Sequence, residues 1–217
     1  MKNLVYSTIL VCITALFSSC GGQAGKLFGG NPTDKAASYA KAIKLIKEKT
    51  DLDKFKIYSV RFVEGEALSN DMMHVDLSMV SPDNIAYKQV FYLNGNVGDL
   101  RKQSSSIDDI DYEKIKGIDV TKIDPEAIEK QCAEAQQMVP EGHTYKSIGR
   151  YEVKEILPKK TALLNKGRNI GAQETTFDIR FTEDGKENEV NGGKVTYLYY
   201  EAEVQVNADG TLSVEEK

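Results

Sequence analysis

The chain has 217 residues, with 28 basic and 33 acidic side chains giving a formal charge of −5, and no tryptophan. That length suits one large domain or two small ones. A mildly acidic chain with dispersed charge lacks the basic footprint that phosphate neutralisation requires, which excludes nucleic acid as a partner.

The N-terminus reads as an export signal. Met1-Lys2-Asn3 is a short basic start, Leu4 to Phe17 is an apolar run, and Ser18-Ser19 closes it in small residues before Cys20. The run is too short for a spanning helix and has the three-part layout of a secretory leader. With a cysteine directly after the small residues, it resembles a bacterial (Bacteroidetes-like) lipoprotein signal. That resemblance implies removal of residues 1–19 and acylation of Cys20, with each buried methylene adding roughly 0.8 kcal/mol of membrane affinity. A plain secretory signal cut near the same point would leave Cys20 an ordinary thiol. Residues 20–30 follow as a tether with glycine at 21, 22, 25, 29 and 30; about ten such residues reach on the order of 15–20 Å. Gly21 is not the aspartate that marks inner-membrane retention in many Gram-negative bacteria, and residues 22–25 lack an acidic surface-export run. The resemblance therefore implies the periplasmic face of an outer membrane, with the membrane itself as a partner through the lipid.

Two similar passages follow. In the first, residues 31–105, Asn31-Pro32 is read as the start of a helix, with Asn31 as N-cap and Pro32 in the first turn. Its apolar stripe is Ala36, Tyr39, Ala40, Ile43 and Ile46. Three strand-like runs come next: Tyr58-Val60-Phe62, Val75-Leu77-Met79, and Ile85 to Leu93, which is apolar on both faces. Ser81-Pro82-Asp83-Asn84 has the chemistry of a hairpin turn. Residues 106–123 form a polar connector, in which Ser106 and Asp109 resemble a capping box that predicts one short helix ended by Gly117.

The second passage, residues 124–217, opens at Asp124-Pro125 with a helix whose stripe is Ile128, Cys132, Ala135 and Val139, ended by Pro140-Glu141-Gly142. A shift of 93 residues lays Pro32, Tyr39, Ala42 and Ile46 over Pro125, Cys132, Ala135 and Val139. Strand-like runs follow at Tyr145 to Val153, Phe177-Ile179-Phe181 and Lys194 to Val206, with Asn165 to Ala172 a loop. The last strand turns at Asn207-Ala208-Asp209-Gly210 into Thr211 to Glu215, a hairpin in which Gly210 supplies the positive φ. The expected fold class is α+β, with two repeated units, each a helix followed by an antiparallel β-meander.

The run Tyr200 to Val214 resembles the closing strands of PepSY-like domains, where a Tyr-Glu-Val strand meets an Asp-Gly turn. The double layout is similar to tandem folds of the β-lactamase-inhibitor-protein kind. Either resemblance implies a binding or inhibitory module and names no ligand.

Chemistry-bearing residues are few. His74 and His143 are the only histidines and have no cysteine partner, a poor zinc set. Asp108, Asp109, Asp111 and Glu113 form the densest acidic run, without the spacing or the glycine of an EF-hand loop; complementing a helix dipole is reason enough for them. Once Cys12 leaves with the leader and Cys20 is the anchor, Cys132 stands alone, so no disulfide is available. Its helix-face neighbours are apolar, which predicts a buried, inert thiol. Lys159, Lys160, Lys166 and Arg168 make a basic loop of the kind that serves solubility or meets an anion or acidic headgroup.

On the strand from Val195, Leu198, Tyr200, Ala202, Val204 and Val206 read as core, and Tyr197, Tyr199, Glu201 and Glu203 read as an outward face. Aromatic residues are enriched at interface hot spots, so these four are the candidate binding residues; cross-strand packing alone also explains such tyrosines. The expectation is a non-enzymatic envelope lipoprotein that binds a protein or peptide on a sheet face, with no cofactor, no metal and no catalytic residues. The alternatives are a carrier holding a small apolar ligand between helix and sheet, and an envelope hydrolase.

Overall fold

The computed structural model describes residues 9–15, 30–105, 108–191 and 194–214, the first range as backbone alone. Cys20 and most of the glycine tether lie outside the described residues. Among those described, the elements in chain order are β1 (Ile9–Ala15), α1 (Ala36–Lys49), β2 (Lys56–Glu64), β3 (Met72–Val80), β4 (Ala86–Tyr92) and β5 (Arg101–Gln103). Then come α2 (Pro125–Gln136), β6 (His143–Glu155), β7 (Gln173–Glu183), β8 (Asn188–Asn191), β9 (Lys194–Val206) and β10 (Leu212–Val214). Two short 3-10 turns, Val120–Lys122 and Ala162–Asn165, sit in the connections. The class is α+β, and no helix among the described residues is long and apolar enough to cross a membrane.

All the paired strands run antiparallel in one sheet ordered β1-β9-β7-β6-β2-β3-β4-β5, with β8 and β10 both added to β9. The sheet is continuous because β2 pairs with β6, from Ser59 opposite Lys154 to Val63 opposite Arg150. Both helices lie on one face, and their stripes meet a single core. Tyr39, Ala42 and Ile46 of α1 and Ile128, Cys132 and Ala135 of α2 pack with Val60, Phe62, Leu77, Ile148, Phe177 and Ile179 of the strands.

Tyr39 is the keystone of that layer. Its ring is fully buried, edge-on to Phe62 at 5.0 Å and to Tyr151 at 5.6 Å, and its hydroxyl donates to the Thr33 carbonyl. Tyr151 in turn stacks on Phe177 at 5.4 Å and donates to Gln131 of α2 at 2.6 Å. Aromatic pairs in these geometries add to the burial of their own surface. Around Tyr39 and Phe62 the helix–sheet interface is therefore filled by side chains.

The second helix starts as its sequence predicts. The Asp124 carboxylate accepts from the Glu126 N–H at 3.0 Å, and Pro125 occupies the first turn. The first helix does not. Asn31 and Pro32 precede it; the helix begins at Ala36, and the Ala36 N–H donates at 2.8 Å to Glu129, a residue of α2. Asn31 is drawn off by β3 instead, its N–H donating to Asp71 at 2.6 Å and its carbonyl accepting from Met72 at 2.7 Å. A cap supplied by the neighbouring helix satisfies the orphan amide that Asn31 was expected to serve.

The connector helix expected after Ser106 is also absent from residues 108–117. Ser106 itself lies outside the described residues. The Asp109 N–H donates to the Pro158 carbonyl, the N–H groups of Lys116 and Gly117 donate to the Glu155 carboxylate at 3.0 and 2.7 Å, and that of Ile118 donates to Ile57. With these donors committed elsewhere, the segment forms only a single turn, in which the Lys114 and Ile115 N–H groups donate to the Asp111 carbonyl, and lays Ile115 on Val80 and Leu157, a small second core on the sheet face opposite the helices.

Cys132 is fully buried among both helices, and burial pushes its thiol up to about 12. Cys132→Asp is expected to lower unfolding stability by about 3 kcal/mol or more, while Cys132→Ala costs about 1 kcal/mol. Urea midpoints measure the difference. An unchanged midpoint for the aspartate variant would contradict the placement of this helix face.

Candidate functional site

The sheet face turned away from the helices carries alternating charges, because the polar positions of adjacent strands bring opposite signs together. Asp76 of β3 lies opposite Arg61 of β2, which lies opposite Glu152 of β6. Directly opposed opposite charges stabilise strand pairing. The ion pairs run from edge to edge. Lys88 meets Asp76 at 2.6 Å, Arg61 meets Glu152 at 3.0 Å, and Arg150 meets Asp178 at 2.9 Å and Glu203 at 3.1 Å. Arg180 meets Glu201 at 2.8 Å and Glu64 at 2.6 Å.

Arg180 is the longest of these straps. It starts on β7, contacts β9 through Glu201 and reaches β2 through Glu64, passing over β6 where that strand has Gly149. A side chain at 149 would collide with it: an ideal Cβ there would sit 2.5 Å from the Arg180 Cζ. The fully buried Glu64 carboxylate also accepts from the Asn70 N–H at 2.7 Å and the Leu68 N–H at 3.3 Å. Leu68 and Asn70 have φ of 67° and 51°, an uncommon conformation for such residues, so Glu64 holds a strained turn in place. Asn70 passes the constraint on by accepting from the Thr33 N–H and hydroxyl, and the Thr33 hydroxyl oxygen accepts from the Ile148 N–H at 3.0 Å.

Protonation follows these contacts. Burial pushes Glu152 up, but Arg61, Ser59 and Arg150 outweigh it and hold the carboxyl below its ordinary value. Asp178 goes the other way: burial, together with Glu201 and Glu203, outweighs Arg150 and raises it. Burial also lowers His74, against the pull of Asp76.

Of the four residues that the sequence proposed for binding, only Tyr197 has the expected setting, with 41% of its surface exposed. Tyr199 was expected to face solvent and is 3% exposed, because the Arg180 guanidinium lies 5.4 Å over its ring and β1 adds Val11 as its backbone partner. Glu201 and Glu203 share the face but are engaged by Arg180 and Arg150, so they are not free acids beside the tyrosines. The reading of the other face holds for four of its five residues: Ala202 and Val204 are buried, and Tyr200 and Val206 pack on the core, whereas Leu198 is half-buried and outside that cluster.

A residue missed by the sequence reading completes the exposed patch. Val190 of β8 is 70% exposed and lies opposite Val195, two positions from Tyr197, so Val190, Val195 and Tyr197 share one face. Its signal was available in the short alternation Asn188-Glu189-Val190, but β8 is too brief to be read as a strand. The three arginines were also legible as alternating charges on strands whose apolar faces drew the attention.

The remaining candidates have structural tasks. Asp108 pairs with Lys159, and Asp109 and Asp111 share Lys114. Lys160 donates to the Ser105 carbonyl and Arg168 to that of Leu157, so the basic loop fastens the connector. His143 sits edge-on between Phe181 and Tyr200. Among the described residues, no group of three His, Cys, Asp or Glu side chains is arranged to hold a metal ion. Two clefts line the helix side. One of about 380 Å³ is bounded by Asp119, Asp124, Gln131, Tyr151 and Thr175, and one of about 420 Å³ lies between Ile43, Lys47 and Pro125.

No protein-family model matches the chain, and no curated protein and no solved structure matches it either.

The Arg180 strap is testable through the glycine beneath it. Gly149→Ala is expected to destabilise the fold by about 2 kcal/mol, in the range of overpacking. In an Arg180→Leu background the same change should cost much less, because the colliding group is gone. Denaturant unfolding of the four proteins gives the coupling, and additive effects would contradict the strap.

Proposed function

We propose that the chain is a lipid-anchored, non-enzymatic binding module of the cell envelope, which receives a protein or peptide partner at the β8–β9 end of its sheet. In this reading residues 1–19 are a leader, Cys20 carries the lipid, and two α-plus-meander units make the body. The element order supports the doubled plan: α1 precedes β2, β3 and β4, α2 precedes β6, β7 and β9, and the first strand of each set pairs with the other at the centre. This is the layout behind the likeness to inhibitor-protein folds, while the likeness to PepSY-like domains rests on the closing hairpin from Tyr200 to Val214.

The observation that carries the binding reading is the patch of Val190 and Tyr197, both exposed, joined by the half-buried Val195 on an otherwise ionic face. Contiguous exposed apolar surface on a soluble body marks an interaction site. Position adds to it. Antiparallel pairing puts the start of β9 at the same end of the sheet as the start of β3, where Asn31 joins the fold from the tether.

A photo-cross-linking residue placed at position 197 should give a discrete adduct in intact cells, and the same residue placed at Lys47 on α1 should not. Val190→Asp, at a position exposed enough to leave folding intact, should reduce the adduct by roughly tenfold, as loss of about 1.4 kcal/mol at a hot-spot contact implies. The same adducts from both positions, or an adduct indifferent to Val190→Asp, would contradict the reading.

A further inference from the structure

The two edges of the sheet are built differently. At one end β5 is three residues long, Arg101-Lys102-Gln103, and all three are exposed. Short, basic edge strands are how proteins prevent unwanted pairing. At the other end β9 is 13 residues long and carries no proline. Its own hairpin partner β10 covers only Val204 to Val206. The stretch from Val195 to Glu201 is covered by β1, from Ala15 opposite Val195 to Ile9 opposite Glu201.

The hydrogen-bonding parity of β9 identifies which groups face that edge. The Leu198 N–H donates to Glu187, on the β8 side, whereas the Asn207 N–H donates to Thr211, on the β10 side. Backbone groups alternate along a strand, so Tyr197, Tyr199 and Glu201 direct their N–H and C=O groups to the side that β1 occupies. Removing residues 1–19 removes β1 and leaves this row open, beside Tyr197 and without a blunting charge between Val195 and Tyr200.

We propose that the β9 edge from Val195 to Glu201 is a strand-addition site, vacated on leader cleavage and refilled by an extended, uncharged, apolar segment of an envelope partner. The proposal rests on the binding-module reading above and specifies the partner's form. The segment that sits there in the full chain, Ile-Leu-Val-Cys-Ile-Thr-Ala, states the chemistry the edge accepts: seven residues, no charge and no proline. Residues opposite one another in a ladder share a face. A partner residue opposite Leu198 or Tyr200 thus lands on the helix-covered side and has to be apolar, while one opposite Tyr197 meets the exposed patch. Main-chain pairing of this kind supplies affinity, and the alternate side chains supply specificity.

The test uses the protein as the cell delivers it, extracted from membranes into lipid nanodiscs, with its N-terminus read by intact mass. A chain that retains residues 1–19 would overturn the proposal. The probe is a labelled synthetic peptide of residues 7–17, with alanine in place of Cys12, the partner of Leu198, and lysines at both ends. Saturable binding is expected, with new hydrogen-exchange protection at the amides of Tyr197, Tyr199 and Glu201. N-methylation of the peptide at Val11 and Ile13, the partners of Tyr199 and Tyr197, should weaken binding by roughly tenfold or more, since each removes a ladder bond. Methylation at Leu10 and Thr14 should not. Tyr197→Pro in the protein should weaken binding to a similar degree while leaving the fold intact, because an edge position whose N–H faces outward tolerates proline.

Absence of binding, equal loss from both methylation patterns, or protection that appears with protein concentration alone would each overturn the proposal, the last by making a second copy the occupant. Failure of the face reading is separable. Peptide binding that survives Val190→Asp, with no cross-link at position 197, would leave the edge site and remove the patch. A cross-link at 197 without peptide binding would do the reverse.

Discussion

The pairing of β2 with β6 is the constraint on which the rest of the structure depends, because it has to satisfy two incompatible surfaces in one register. On the helix face Phe62 lies opposite Tyr151, and Tyr39 wedges its ring against both. On the other face Arg61 lies opposite Glu152. A slip by one residue would turn the aromatic rings into the ionic face and the charges into the core. The register therefore has one solution. The helices reinforce it from outside the sheet, since Glu129 of α2 caps α1 and Thr33, just before α1, accepts from the Ile148 amide of β6.

The ion pairs on the open face are best understood as positioning devices. Arg61, Arg150 and Arg180 are partly exposed but pair with buried carboxylates, where the cost of desolvation offsets much of the attraction, so the pairs add little net stability individually. What they do is geometric. Arg180 ties β7 and β9 to β2 over Gly149, and the buried Glu64 that receives it also anchors the turn before β3. Loss of either partner leaves a charge in a site it cannot leave, which costs more than the pair contributes. The consequence is that β7 and β9 are fixed to β2 by side chains as well as by the ladder through β6.

Elements whose signals are local were readable from the sequence, and those completed by distant residues were not. Asp124-Pro125 was legible because cap and proline both act on their own helix. Asn31-Pro32 has equally good chemistry, yet Met72 and Asp71 take Asn31 and a carboxylate 93 residues beyond Ala36 does the capping. The alternation along β9 placed Ala202 and Val204 correctly in the core, but Tyr199 lies under a guanidinium from another strand that no local pattern announces. The connector lost its helix to Glu155 for the same reason. Composition marked Leu4 to Phe17 as a leader, and nothing in that pattern indicates that Ile9–Ala15 also fits an open sheet edge.

Equilibrium unfolding observed separately in the two sets of strands tests the account most directly. Hydrogen exchange measured against denaturant reports the opening free energies of β3 and β4 on one side of the β2–β6 pair and of β7 and β9 on the other. If that pair and its two faces join the chain into one unit, the slowest amides in both sets will merge into a single transition with the same midpoint and slope, and Phe62→Ala will lower both by the same amount. Separate transitions, with Phe62→Ala lowering only the β3–β4 set, would contradict it.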